Sequence, residues 1–198
     1  MRHLHGYAGL PIQSGPQTPF QPRLKSVSTP FDTAMDLEKD LKTIARQEDC
    51  FQMKQFNAET AWALGSRLKE MAEKRGVGIT IEVRLARETV FFFAMPGTSP
   101  SNADWARRKR NVVELLHRSS YHVGLDNALG GGTLESKMGL PLRDYADHGG
   151  SFPIRVQGSG CIGVVTVSGL PQREDHAMAV EALAGLCGVS LDGLRLEP

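Results

Sequence analysis

The stretch GCIGVVTVSGLPQREDH, residues 160–176, decides the fold of this chain. It predicts a buried strand, a tight turn at Ser168-Gly169-Leu170-Pro171, and a helix that begins with a polar turn and runs to Cys187. The backbone N–H groups of such a turn and of the helix start point towards one place. We therefore expect an anionic group to bind beside the turn.

The composition favours an ordinary globular protein. A chain of 198 residues that is 40% hydrophobic predicts one domain with a sizeable core. The net charge of +1 gives no general attraction to nucleic acids or acidic membranes. The longest apolar runs, 90–95 and 162–167, are far too short to cross a bilayer. We expect neither nucleic acid nor a membrane among the partners.

The cysteines indicate the compartment. Cys50, Cys161 and Cys187 are odd in number and lack the spacing of metal ligands. They are typical of free thiols in a reducing environment, so we predict a cytoplasmic location, no structural disulfide and no metal site.

The ends of the chain differ from its middle. Residues 1–34 hold five prolines and no sustained periodicity, which predicts a disordered or loosely attached tail. Met35 opens the globular pattern and can equally be the start of the folded part. We predict a single domain at 35–192 and a short C-terminal tail at 193–198.

Within the domain, the periodicities predict helices and two hairpins. Asn57 suits a helix cap and Gly76 a helix stop. The first predicted elements are a helix at 35–48 and a helix from Asn57 to about Lys74. A hairpin follows, with a strand at 79–85 that has one buried face and a more fully buried strand at 89–95. A helix from Ser101 to about Ser119, strands at 152–156 and 161–167, and a last helix that ends at Gly188 complete the order. This order indicates an antiparallel α+β domain.

A basic run lies on the third predicted helix. Trp105, Lys109, Val112 and Leu116 share its apolar stripe, and Arg108 borders that stripe. A cation beside a buried seam needs an anionic partner or a path to water. Arg108 and Lys109 either hold a carboxylate or phosphate at the rim of a pocket or belong to a solvated basic face.

The last helix begins with Asp175 and His176. Asp175 most simply compensates the helix dipole, and His176 starts the apolar stripe near the helix N-terminus. The dipole there disfavours imidazolium. A neutral His176 could bind iron or act as a base, but a core histidine bonded to a backbone carbonyl is the preferred interpretation.

A third group of candidates lies in the loop that enters the fourth strand. His148 is followed by Gly149 and Gly150, and glycines allow a ligand to approach the backbone closely. The alternative is a turn in which the glycines only reverse the chain.

Three segments carry a resemblance to a known family. They are Trp105 with Arg108-Lys109 and Ser119-Ser120-Tyr121; Asp144-Tyr145 with 148–153; and Gly163 through 168–171 to Asp175-His176. Over about 37–189 the chain resembles a family of uncharacterised bacterial and fungal proteins related to the haem-degrading, GlcG-like domains. The resemblance implies a profilin-like three-layer α/β/α fold with a central antiparallel sheet of about five strands, and a homo-oligomer. It also raises haem binding or degradation.

Two functions remain open at this point. The first is binding of a small anionic ligand, with haem as one candidate, between the basic helix and the Ser168-Gly169 turn. The expected site residues are Trp105, Arg108, Lys109, His148, Gly149, Gly150, Ser168, Gly169, Asp175 and His176. The alternative is a non-enzymatic homo-oligomeric scaffold or partner-binding protein, in which Lys109 pairs with an acidic side chain and His176 is a core residue. The sequence assigns no catalytic residue.

Overall fold

The computed structural model describes the backbone of residues 30–197 and the side chains from Asp36 onwards. The predicted tail at 1–34 lies almost wholly outside these residues. The elements are α1 (Pro30–Cys50), β1 (Gln52–Met53), α2 (Ala58–Arg75), β2 (Thr80–Leu85), β3 (Glu88–Ala94), α3 (Pro100–Leu116), α4 (Ser120–Leu129), α5 (Leu134–Met138), β4 (Ser151–Val156), β5 (Gly160–Ser168) and α6 (Gln172–Cys187). The first helix thus begins at Pro30, five residues before its predicted start.

The strands form one sheet with the order β1-β4-β5-β2-β3. All neighbouring strands are antiparallel except β1, which pairs with β4 in parallel. Helices α2 and α6 pack on one face and α3 on the other. The main core lies between the sheet and the α2–α6 layer, with Ile81, Val165 and Leu183 at its centre. The predicted three-layer α+β fold is confirmed.

Helix ends follow their sequence signals closely. The Asn57 side chain accepts the Thr60 N–H at 2.9 Å, and Gly76 ends α2 in the left-handed conformation. Gly188 ends α6 in the same way. The start of α3 was predicted two residues too late: its capping box is formed by Ser99 and Asn102, because Pro100 suits the first helical position.

Two predictions about the first hairpin are wrong. β2 is buried on both faces, including Thr80 and Glu82, because it lies inside the sheet with helices on both sides. β3 is the edge strand, and the Phe92 side chain is 50% exposed. A run of apolar residues predicts burial, but it does not indicate whether the strand lies inside the sheet or at its edge.

The segment after α6 packs against the domain. Leu194 is buried, and its carbonyl accepts the Gln47 side-chain N–H at 2.7 Å. Arg46 donates to the Gly193 carbonyl at 3.1 Å. Part of the predicted C-terminal tail is therefore attached to α1. Among the described residues, no helix is long and apolar enough to cross a membrane.

Candidate functional site

A cavity of about 310 Å³ lies where the first turns of α3 and α6 meet the end of β5. Its walls are formed by Ser101, Asn102, Trp105, Lys109, His148, Ser168, Gly169, Leu170, Gln172 and Asp175. The structure thus brings six of the ten predicted site residues into one cavity wall. The other four, Arg108, Gly149, Gly150 and His176, do not line it.

The floor of the cavity is an ion pair. Lys109 Nζ lies 2.7 Å from Asp175 Oδ2, and both side chains are at least 95% buried. Lys109 also donates to the Val167 carbonyl at 3.3 Å. Burial raises the pKa of Asp175 and lowers the pKa of Lys109, while their mutual attraction opposes both shifts. The pair adds no net charge to the cavity.

Asp175 also fills the place where the sequence predicts an anion. Its carboxylate accepts the Leu170 N–H at 3.0 Å and the Gly169 N–H at 3.4 Å. The tight turn after β5 therefore holds a carboxylate of the protein itself. An external anion must use other donors.

Those donors are the first turns of two helices. Ser101 and Asn102 open α3, and Gln172 opens α6. Pro171 stands at the N-cap of α6 and no side chain caps that helix. The first N–H groups of a helix have no partner within it, so the N-terminus of α6 offers donors to the cavity. At the N-terminus of α3, which also lies at the cavity, the Asn102 N–H is already held in the capping box with Ser99. The sequence analysis did not include Ser101, Asn102, Leu170 and Gln172 among the site residues. The helix start predicted at Ser101, just before Trp105, was the signal that could have indicated two of them.

Trp105 lies in one wall of the cavity, between His148, which also lines it, and Arg108, which supports the indole from outside the lining. The Arg108 guanidinium lies over the Trp105 ring, 4.4 Å from its centroid, and the His148 ring meets the indole edge-on at 5.1 Å. Burial lowers the pKa of His148, and Lys109 and Arg108 lower it further, whereas Asp147 opposes the shift. His148 therefore presents a neutral imidazole at neutral pH.

The rest of the basic run is used within the protein. Arg108 Nε donates to the Leu142 carbonyl at 2.9 Å. Arg107 pairs with Asp104 and with Asp144, and Arg110 pairs with Glu82 at 2.7 Å. These contacts hold the loop at 139–150 and the sheet against α3. Arg107 and Arg110 are therefore held in ion pairs within the protein and do not form a free basic face.

Gly149 and Gly150 serve packing. A Cβ on Gly149 would lie 2.1 Å from the Gln172 carbonyl oxygen. Gly150 has φ 127°, and a Cβ there would lie 2.3 Å from the Val167 oxygen and 2.9 Å from Lys109 Nζ. The two glycines let the loop pass directly over the ion pair.

His176 lies in the core. Its side chain is completely buried between Tyr121 and Phe152, and Nε2 lies 2.9 Å from Gln47 Oε1. Gln47 uses its own N–H on Leu194, so His176 Nε2 donates this bond. Burial lowers the pKa of His176 to about 3. The acceptor is a side-chain oxygen, whereas the sequence interpretation expected a backbone carbonyl.

Comparison with known proteins places this chain in a family. The model of the family described as "Haem degrading protein HbpS-like" matches residues 56–184, and the chain belongs to that family. It is 55% identical to a UPF0303 protein of Azotobacter vinelandii over 163 residues, covering 82% of this chain and 98% of the relative. It is 54% identical to a UPF0303 protein of Rhizobium leguminosarum bv. trifolii over 164 residues, covering 83% and 99%.

Solved structures agree on the fold. The Ybr137w protein is similar with a TM-score of 0.70 at 25% identity, covering 75% of this chain and 87% of that one. HbpS gives a TM-score of 0.55 at 20% identity, covering 68% and 92%. The structure of a PduOC:Heme complex gives a TM-score of 0.50 at 18% identity, and the match covers 73% of this chain and 90% of that one.

Proposed function

We propose that the cavity binds a small organic anion. The observation that carries this proposal is the convergence of two helix N-termini on the cavity, with α6 left without a side-chain cap. Helix N-termini favour anions through their N–H groups and their dipoles. Since Lys109 is already neutralised by Asp175, the helix ends supply the attraction.

The size and walls of the cavity narrow the ligand class. A volume of about 310 Å³ lies at the lower end of the ~300–1,000 Å³ that small-molecule sites span. Trp105 and Leu170 provide apolar surface, whereas Ser101 and Ser168 provide hydroxyl groups. A carboxylate on a small apolar body matches this combination.

Haem is the second candidate, and His148 is the observation that favours it. A neutral imidazole at a cavity wall suits an iron ligand. A whole porphyrin does not fit this cavity, because the ring needs apolar walls on both faces and one face of Trp105 is covered by Arg108. We derive no haem chemistry from this site.

The test uses the fluorescence of Trp105. The chain has two tryptophans, so the variant Trp62→Phe leaves Trp105 as a single reporter at the cavity. Titration with benzoate should change its emission saturably. In Gln172→Glu a carboxylate stands at the α6 N-terminus, and benzoate affinity should fall about tenfold, the effect of ~1.4 kcal/mol. Gln52→Glu, which adds the same charge on β1, should bind as before.

The Trp62→Phe variant also distinguishes the two candidate ligands, a small organic anion and haem. Absence of a saturable change with acetate, pyruvate and benzoate, or equal affinity in both glutamate variants, would overturn the anion proposal. A saturable Soret shift with haemin that is lost in His148→Ala and kept in His117→Asn would establish haem instead. His117 is exposed at the end of α3, and asparagine tolerates its left-handed conformation.

We further propose that the chain forms a homo-oligomer through the edge of β3. Phe92 on this strand is 50% exposed. Trp62 of α2 is 66% exposed and packs edge-on at 5.5 Å against the neighbouring Phe91, whose side chain points to the other face of the sheet. An exposed apolar edge strand offers unpaired N–H and C=O groups to another strand. A second β3, running antiparallel about a two-fold axis, presents the same apolar side chains in return.

Light scattering after size-exclusion chromatography tests this interface. The wild type should elute as an oligomer, and Phe92→Lys should elute as a monomer because the charge lies at the strand edge. Leu142→Lys alters a similarly exposed residue elsewhere and should leave the mass unchanged. A monomeric wild type would remove both this interface and the scaffold function.

We also infer a cytoplasmic location. Cys50, Cys161 and Cys187 are all free in the structure, which fits a reducing compartment. Burial raises the pKa of Cys161 and of Cys187, so these two thiols are poor nucleophiles at neutral pH.

A further inference from the structure

A second cavity, of about 430 Å³, lies between the end of α3, α4 and α5. Its walls are formed by Leu116, Arg118, His122, Val123, Asp126, Asn127, Lys137 and Met138. None of these residues lines the first cavity. The two cavities are therefore separate sites.

Arg118 brings to this cavity a positive charge that has no direct ion pair among the described residues. Its Nη1 lies 2.6 Å from His122 Nε2, and no carboxylate of the described residues forms an ion pair with it. A guanidinium can only donate, so His122 Nε2 accepts and the imidazole proton lies on Nδ1. The partner of Arg118 is thus a neutral ring.

Glu48 lies close to the other nitrogen of that ring. Its Oε1 lies 3.3 Å from His122 Nδ1 and accepts the Ser119 N–H at 2.7 Å. Burial acts to raise the pKa of Glu48, but the bonds from His122 and Ser119 outweigh it and hold the pKa below its ordinary value. Glu48 lies behind the imidazole and does not line the cavity. The ring thus lies with Nδ1 towards Glu48 and Nε2 towards Arg118.

The opposite wall carries a second cation. Lys137 Nζ lies 3.9 Å from Asp126 Oδ2, and the Asp126 side chain is 67% exposed, so this pairing is weak. Arg118 and Lys137 contribute two positive charges to the lining and Asp126 one negative charge. Among the residues that line the cavity, the cations therefore exceed the anions by one, and the nearby Glu48 lies outside this lining.

Apolar side chains complete the walls. Leu116, Val123 and Met138 line the cavity, and Met138 is 48% exposed. Methionine adapts to ligands of varied shape, and arginine binds carboxylates and sulfonates strongly. We infer that this cavity binds an amphiphilic monoanion, with its acidic group on Arg118 and Lys137 and its apolar part against these side chains.

The probe is 8-anilinonaphthalene-1-sulfonate, whose emission rises on transfer to an apolar site. The full chain should bind it saturably, and octanoate should displace it. Arg118→Gln should weaken binding about tenfold, and Met138→Asp should weaken it similarly. Arg143→Gln alters an exposed arginine outside this cavity and should leave the affinity unchanged. His148→Ala, in the first cavity, should also have no effect.

Three outcomes would overturn the inference. Equal affinity in Arg118→Gln and wild type would mean that Arg118 does not hold the acidic group. Loss of binding in His148→Ala alone would place the dye in the first cavity. Failure of octanoate to displace the dye would exclude carboxylates as ligands.

Discussion

Lys109 and Asp175 are 66 residues apart in sequence, yet their side chains meet at 2.7 Å beneath the candidate cavity. The pair joins α3 to α6 across the end of β5, and Asp175 also binds two N–H groups of the turn at Gly169 and Leu170. Almost no water reaches either group. The cavity floor is therefore a structural unit.

Breaking this pair should destabilise the protein strongly. In Lys109→Met the Asp175 carboxylate keeps the turn N–H groups but loses its cation, and a buried charge without its partner costs about 3 kcal/mol or more. We expect the free energy of unfolding in urea to fall by about that amount. Lys69→Met, which removes an exposed pair with Glu73 on α2, should cost below about 0.5 kcal/mol. Equal losses in the two variants would contradict a structural role for Lys109.

His176 should make the protein sensitive to acid. Its pKa is about 3 in the folded state and near 6.5 when unfolded, so the unfolded chain binds a proton that the folded chain excludes. This group has no effect above pH 6.5. As the pH falls from 6.5 towards 3 it removes stability, by up to ~1.4 kcal/mol per pH unit.

The measurement is urea unfolding at pH 8, 5 and 4. His176→Gln keeps a donor for Gln47 but does not titrate, so the stability difference between wild type and variant should shrink as the pH falls. His117→Asn removes an exposed histidine and should track the wild type. Parallel pH profiles for wild type and His176→Gln would show that the pKa of His176 is the same in the folded and unfolded states.

Gly150→Ala tests the close approach of the loop to the ion pair. An added Cβ meets the Val167 oxygen and Lys109 Nζ, and φ 127° is strained for any residue with a side chain. We expect a lower melting temperature than for Gly158→Ala, where φ is also positive but no atom lies within 4 Å. Similar melting temperatures would mean that the loop yields easily.

Arg108→Ala should loosen the loop at 139–150. The variant loses the bonds to the Leu142 carbonyl and the stacking on Trp105. Hydrogen exchange of the backbone N–H groups at 142–148 should accelerate, because the loop opens more often. Arg75→Ala, which removes a pair with Glu181, should leave those rates unchanged. Unchanged exchange in Arg108→Ala would show that Arg107 and Asn111 hold the loop without it.

The parts of the fold that were predicted correctly depend on local signals. The caps at Asn57, Gly76 and Gly188 depend on one or two residues, and the apolar run that forms the buried strand β5 depends on a few more. The edge position of β3 was not predicted, because an apolar run carries no information about strand order. β1 is two residues long and has no pattern of its own.

The candidate site shows the same division. The sequence predicts that Lys109 lies on an apolar stripe and needs an anionic partner. It does not indicate that this partner is Asp175 and not another acidic residue. It likewise indicates that His176 is either a core residue or a ligand-binding residue. Only the structure shows that its hydrogen-bond partner is Gln47. Long-range partners are fixed by the assembled sheet, which local periodicity does not describe.

The distance along the chain between α3 and α6 has a consequence for how the cavity comes into being. α3 provides Trp105 and Lys109, whereas Gln172 and Asp175 come from α6, more than 50 residues later in the chain. A growing chain on the ribosome cannot assemble the cavity until α6 has emerged. Contacts of such separation require a long loop to close first, so a molecule that binds there distinguishes chains in which α6 has docked from chains in which it has not.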